Sequence, residues 1–70
     1  MTSYKIETSE STYRSTNAIE AARVAVAQRR NGRDPSAYAV VDCGSGVSVR
    51  RAEIHGTIRA TAAALVAAAK

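Results

Sequence analysis

The chain has little of what catalysis uses. Its 70 residues include one histidine, one cysteine, no tryptophan, no phenylalanine and six carboxylates. Most reaction mechanisms need several such groups brought together. The composition therefore points away from an enzyme, and no cofactor is expected. A lone cysteine excludes an internal disulfide, and no cluster of metal-ligand residues is available. Large apolar residues are scarce as well. Valine, isoleucine and leucine number seven, four and one, about 17% of the chain, below the ~20% level at which disorder becomes a concern. Disorder also requires a high net charge, and here the net charge is a mild +4.

What the chain has is alanine and arginine. Fifteen alanines favour helix and permit close packing. The length suits one domain, residues 1–70, at the small end of what folds without staples. Domains of this size often gain stability by oligomerising, so a dimer or a partner is expected. Met1-Thr2-Ser3-Tyr4-Lys5 lacks the apolar core of a signal peptide. The longest apolar stretch, Ala60 to Ala69 interrupted by Thr61, falls short of the ~20 residues that span a bilayer. The expectation is a cytoplasmic protein with no membrane partner.

Ser3 to Thr8 alternates, with Tyr4 and Ile6 on one face and Lys5 and Glu7 on the other, which predicts a half-buried strand. Residues 9–15 are polar and rich in hydroxyls, and pair back as a short second strand anchored by Tyr13. Asn17-Ala18-Ile19-Glu20 has the form of a capping box. A helix follows from Ala18 to Arg30, with Ile19, Ala22 and Val26 as its apolar stripe, widened by Ala18 and Ala25. Arg29 and Arg30 suit the last turn of a helix, and Asn31-Gly32 suits its stop. Residues 37–42 and 46–51 then read as two strands of a hairpin, with glycines in Cys43-Gly44-Ser45-Gly46 supplying the turn. A second helix is predicted over roughly Thr57 to Lys70. Ile58, Ala62, Leu65 and Ala69 form its core stripe, and an almost uncharged alanine surface lies behind it. The predicted fold is α+β: a small antiparallel sheet of three or four strands packed against two helices, in the order β-(β)-α-β-β-α. The alanine surface suggests a homodimer through the C-terminal helix.

Single chemical groups carry little function. His55 has Glu53 nearby but no third group to complete a triad, so it reads as a junction residue. Cys43 has no adjacent base and reads as a small buried or half-buried filler. Residues 43–46 resemble a phosphate loop only in their glycines, since the required lysine and following helix are missing.

The arginines carry more weight. Eight of the ten basic residues are arginine, whose planar fork grips carboxylate or phosphate with two donors. If the first helix packed on the hairpin, Arg29, Arg30, Arg33, Arg50, Arg51 and Arg59 would supply one basic partner-binding patch. Arg50 and Arg51 are strand neighbours and so point to opposite faces.

The strand Tyr4-Lys5-Ile6-Glu7, the helix from Asn17 to Arg23 and the Val/Ser hairpin together resemble small phage-encoded anti-CRISPR proteins. The likeness extends over most of the chain and is one of size and layout, so no residue role carries over. It implies a non-enzymatic inhibitor that docks on a CRISPR effector complex and blocks target-DNA binding or nuclease recruitment. The residues themselves allow a second reading, a small basic nucleic-acid-binding module.

Overall fold

The computed structural model describes all of residues 1–70. Six elements follow in order: β1 (Thr2–Glu7), β2 (Thr12–Ser15), α1 (Ala18–Arg30), β3 (Ser36–Asp42), β4 (Val47–Ala52) and α2 (Ile58–Ala68). The four strands form one sheet in the order β2-β1-β3-β4, with every neighbouring pair antiparallel. No helix is long and apolar enough to cross a membrane.

Local chemistry sets the element boundaries. The Asn17 side chain accepts from the amides of Ile19 and Glu20 at 2.9 and 3.2 Å, which starts α1. The reciprocal half of the expected capping box does not form, because the Asn17 amide donates to Ser15 Oγ. Gly32, at φ 81°, ends α1 in the left-handed conformation that glycine adopts without strain. Thr57 caps α2 by accepting from the Ala60 amide. Between β3 and β4, Gly44 at φ 79° makes the turn, and its amide donates to Asp42 Oδ1.

Both helices lie on one side of the sheet, α1 over β1 and β2 and α2 over β3 and β4, packed against each other. Their buried partners alternate along the strands: Tyr4 and Ile6 from β1, Ala37 and Ala39 from β3, Ala52 from β4. The helices contribute Ala21, Ala22, Ala25, Ala62 and Leu65. The core is thus built chiefly from methyl groups, and it draws the helices close to the sheet. The stripe expected on α1 holds at Ala22, Ala25 and Val26, all buried, and extends to Ala21; it departs at Ile19, which is 55% exposed. Alanine fits where helix and sheet backbones approach most closely, and the bulkier Ile19 in the first turn is left outside. The α2 stripe is as expected, with Ala62 and Leu65 buried and Ile58 and Ala69 partly so.

One polar side chain is fully enclosed. The Thr61 hydroxyl donates to the Thr57 carbonyl at 2.8 Å and accepts from the His55 amide at 3.0 Å. It therefore ties the β4–α2 connection to the first turn of the helix.

Candidate functional site

The side of the sheet away from the helices is bare. Strand alternation puts Thr12 and Arg14 there from β2, Ser3, Lys5 and Glu7 from β1, and Ser36, Tyr38, Val40 and Asp42 from β3. Val47, Val49 and Arg51 come from β4. The register pairs Arg14 with Lys5, Lys5 with Tyr38, and Tyr38 with Arg51. One row across all four strands therefore reads Arg14–Lys5–Tyr38–Arg51: an aromatic ring with a cation next to it on each side and a third at the far edge. Three strand spacings make this row about 14 Å long.

Contacts within the row separate the committed charges from the free ones. Lys5 Nζ lies 5.0 Å from the Tyr38 ring centroid and 3.6 Å from Glu7 Oε2. It is a cation–π partner already shared with a carboxylate. Arg14 and Arg51 are exposed and make no hydrogen bond or ion pair within the chain. The next row continues Ser3–Val40–Val49, with Val49 54% and Val47 64% exposed. The open face thus sets a Tyr and valine surface beside uncommitted guanidinium groups.

The six arginines expected to form one patch are distributed differently. Because α1 covers β1 and β2 rather than the β3–β4 hairpin, its C-terminal arginines do not sit over Arg50. Arg29 and Arg51 both line one open hollow of about 640 Å³, together with Asp34 and Glu53. Arg29 Nη1 also donates to the Ile54 carbonyl at 2.6 Å, so it fastens the end of α1 to the β4–α2 connection. A smaller hollow brings Arg29 and Arg30 beside His55. Arg33 is occupied by Glu10 at 3.3 Å and by Gln28 Oε1 at 2.9 Å. Arg59, in the first turn of α2, is exposed.

Arg50 is on the helix side of the sheet, as alternation requires. Its guanidinium donates to the Ala68 carbonyl at 3.4 Å and to the main-chain oxygen of Lys70, while Nε donates to Ser48 Oγ. Carbonyls at a helix C-terminus lack intrahelical donors, and a cation there also suits the helix dipole. Arg50 therefore holds α2 on the sheet, and Arg51 beside it faces solvent.

Sequence reasoning did not select Arg14, Lys5 or Tyr38 as site residues. The signal available was parity: each occupies the outward position of its strand, and only the register places them in one row. Cys43, expected to be buried or half-buried, is exposed at the hairpin. His55 lies in the β4–α2 connection, also exposed. No group of three His, Cys, Asp or Glu side chains converges to hold a metal ion. Comparison with protein-family models, with curated proteins and with solved structures gives no match to the chain.

Proposed function

We propose that the chain is a non-enzymatic binding module that takes a single-stranded nucleic acid on its open sheet face. The observation that carries this reading is the row Arg14–Lys5–Tyr38–Arg51, in which an aromatic ring sits among cations on the face that no helix covers. Single strands are held by such a combination: cations follow the phosphates, and exposed bases stack on aromatic rings for about 1–3 kcal/mol each. A duplex keeps its bases stacked inside, so Tyr38 would have nothing to receive. The exposed Val47 and Val49 extend the apolar part of the platform beyond the ring.

The anti-CRISPR reading is the second one, and the sign of the charge narrows it. A cationic row cannot imitate a phosphate backbone. An inhibitor built on this face would sequester the nucleic acid of a CRISPR effector complex, or dock on an acidic surface of its protein.

Fluorescence anisotropy with labelled single-stranded and duplex oligonucleotides over a salt series tests the proposal. With the two uncommitted cations, Arg14 and Arg51, engaged, the logarithm of affinity should fall against log salt with a slope of about −1.4 on single strands. Single strands should bind more tightly than duplex. Absence of binding at low salt, or binding unchanged when Arg14 and Arg51 are both replaced by glutamine, would overturn it.

A further inference from the structure

The sheet ends at β4 with an unpaired edge, and the hydrogen-bond pattern identifies the groups along it. At the hairpin the Cys43 amide donates to the Gly46 carbonyl at 2.9 Å, so these two residues form a hydrogen-bonded pair. Antiparallel ladders alternate bonded and non-bonded pairs. From the hairpin onward, Ser48, Arg50 and Ala52 therefore bond to β3. The main-chain N–H and C=O groups of Val47, Val49 and Arg51 point away from the sheet. On the far side of β3 the Asp42 amide donates to the Met1 carbonyl at 3.0 Å, as the same alternation demands.

We infer that β4 pairs antiparallel with β4 of a second copy of this chain, about a two-fold axis at Val49. Register decides in favour of that axis. Val49 would face Val49 of the second copy, and Val47 would face its Arg51, giving about six ladder hydrogen bonds, two for each facing pair. On the helix side Ser48 would face Arg50. No like charges meet. An axis at Arg50 or Arg51 would instead set two guanidinium groups opposite each other, which is destabilising. An axis at Ser48 or Val47 would run the hairpin turn into the partner strand and shorten the ladder.

The remaining features of this edge agree. β4 has no proline or bulge, and its inward charge, Arg50, is taken up by the carbonyls that end α2, whereas β2 at the other edge has only four residues. The β2–α1–β3 connection joins parallel strands, and such crossovers are right-handed. With that hand, the flank of α2 above the β4 edge carries Ala60, Ala64 and Ala67, so nothing longer than a methyl group overhangs an incoming strand. Because α2 lies over β3 and β4, the axis would set the two copies of α2 about 10 Å apart, a separation typical of packed helices. Arg50 anchors the C-terminal turn of α2 close to Val49, so these turns would meet at the axis. Pairing would also join the two open faces into one eight-stranded surface. Val40 and Val49 of both copies would form its central stripe, with a Tyr38–Arg51 row on either side.

Sedimentation equilibrium and amide hydrogen exchange test this arrangement. The unmodified chain should show about twice its 7.4 kDa mass, with slow exchange at Val47, Val49 and Arg51 that quickens on dilution. Val49→Pro removes an N–H that β3 does not use, and Val49→Glu sets like charges on the axis. Each should give a monomer with unchanged circular dichroism. If Val49→Pro fails to fold, Val49→Glu at this half-exposed site still decides the matter. A monomer at millimolar concentration overturns the inference, as does a dimer that survives Val49→Glu. So does a dimer in which those three amides exchange freely, since its interface must lie elsewhere. None of these readings depends on nucleic acid, so the dimer and the proposed function can fail separately.

Discussion

Replacing Arg50 and Arg51 singly by glutamine should separate stability from binding at two adjacent positions. Arg50 donates to the carbonyls that end α2 and lies on the helix side of the sheet, partly buried. Hydrogen bonds to charged groups contribute about 1.5–3 kcal/mol when both partners are held, and a cation at a helix C-terminus adds about 0.3–1 kcal/mol. Glutamine keeps part of the length and can donate to one carbonyl, so the expected net loss is about 1–2 kcal/mol. For a domain of this size each kcal/mol moves the melting temperature by about 4–8 °C, so Arg50→Gln should lower Tm by roughly 4–16 °C. Arg51 is exposed, and its side chain makes no hydrogen bond or ion pair within the chain. Its replacement should shift stability by less than about 0.5 kcal/mol. Binding should respond in the opposite sense. Arg51→Gln should reduce the salt slope on single strands by about 0.7, the contribution of one phosphate contact, and Arg50→Gln should leave that slope alone. Thermal denaturation followed by circular dichroism reads the first quantity, and anisotropy titrations read the second. Equal melting temperatures for the two variants would refute the anchoring role of Arg50. A loss of salt slope in Arg50→Gln but not in Arg51→Gln would refute the assignment of faces.

Three further outcomes are expected. Tyr38→Leu should weaken single-strand binding by about 1–3 kcal/mol, measured by anisotropy, while the salt slope stays constant, because stacking is lost and phosphate contacts are not. Thr61→Val should destabilise the fold by about 1 kcal/mol in chemical denaturation, since it keeps the shape but leaves the part-buried His55 amide without its acceptor. Asn17→Ala removes the acceptor for two amides at the start of α1 and should lower stability by about 1 kcal/mol in the same assay.

Those parts of the fold that depend on neighbouring residues were legible in the sequence. Asn17 and Gly32 bracket α1 at its observed ends. Strand alternation correctly put Arg50 and Arg51 on opposite faces of the sheet. What could not be read was the pairing of β1 with β3, which brings residues 2–7 against 36–41. Hydrogen bonds of that ladder join backbones far apart in sequence, and no local pattern encodes their register. The location of α1 followed from the same missing fact. Once β1 fills the centre of the sheet, the helix leaving β2 must cross over it to reach β3, and it covers β1 and β2 rather than the hairpin.

That crossing also explains why the residues of the proposed binding row escaped notice while the arginines drew attention. Arginine density along the chain is a local property, but half of the dense positions are engaged in holding the fold: Arg50 under α2, Arg29 at the Ile54 carbonyl, and Arg33 with Glu10. The face left for a partner is set by the core, not by charge. Alanines at 37, 39 and 52 let both helices settle on one side of the sheet, and the side chains of opposite parity are then exposed together whatever their separation in sequence. Arg14 comes from a short strand with a single large apolar residue, and Lys5 from the strand read for its Tyr4 and Ile6. Each becomes part of a surface only because the register aligns it with Tyr38. In so small an alanine-built domain, every outward residue of four strands is within reach of one extended ligand. Charge reversal at Arg14, on the far edge from the hairpin, should therefore weaken single-strand binding as much as reversal at Arg51. A short oligonucleotide that responds to Arg51→Glu but not to Arg14→Glu would confine the contact surface to β3 and β4.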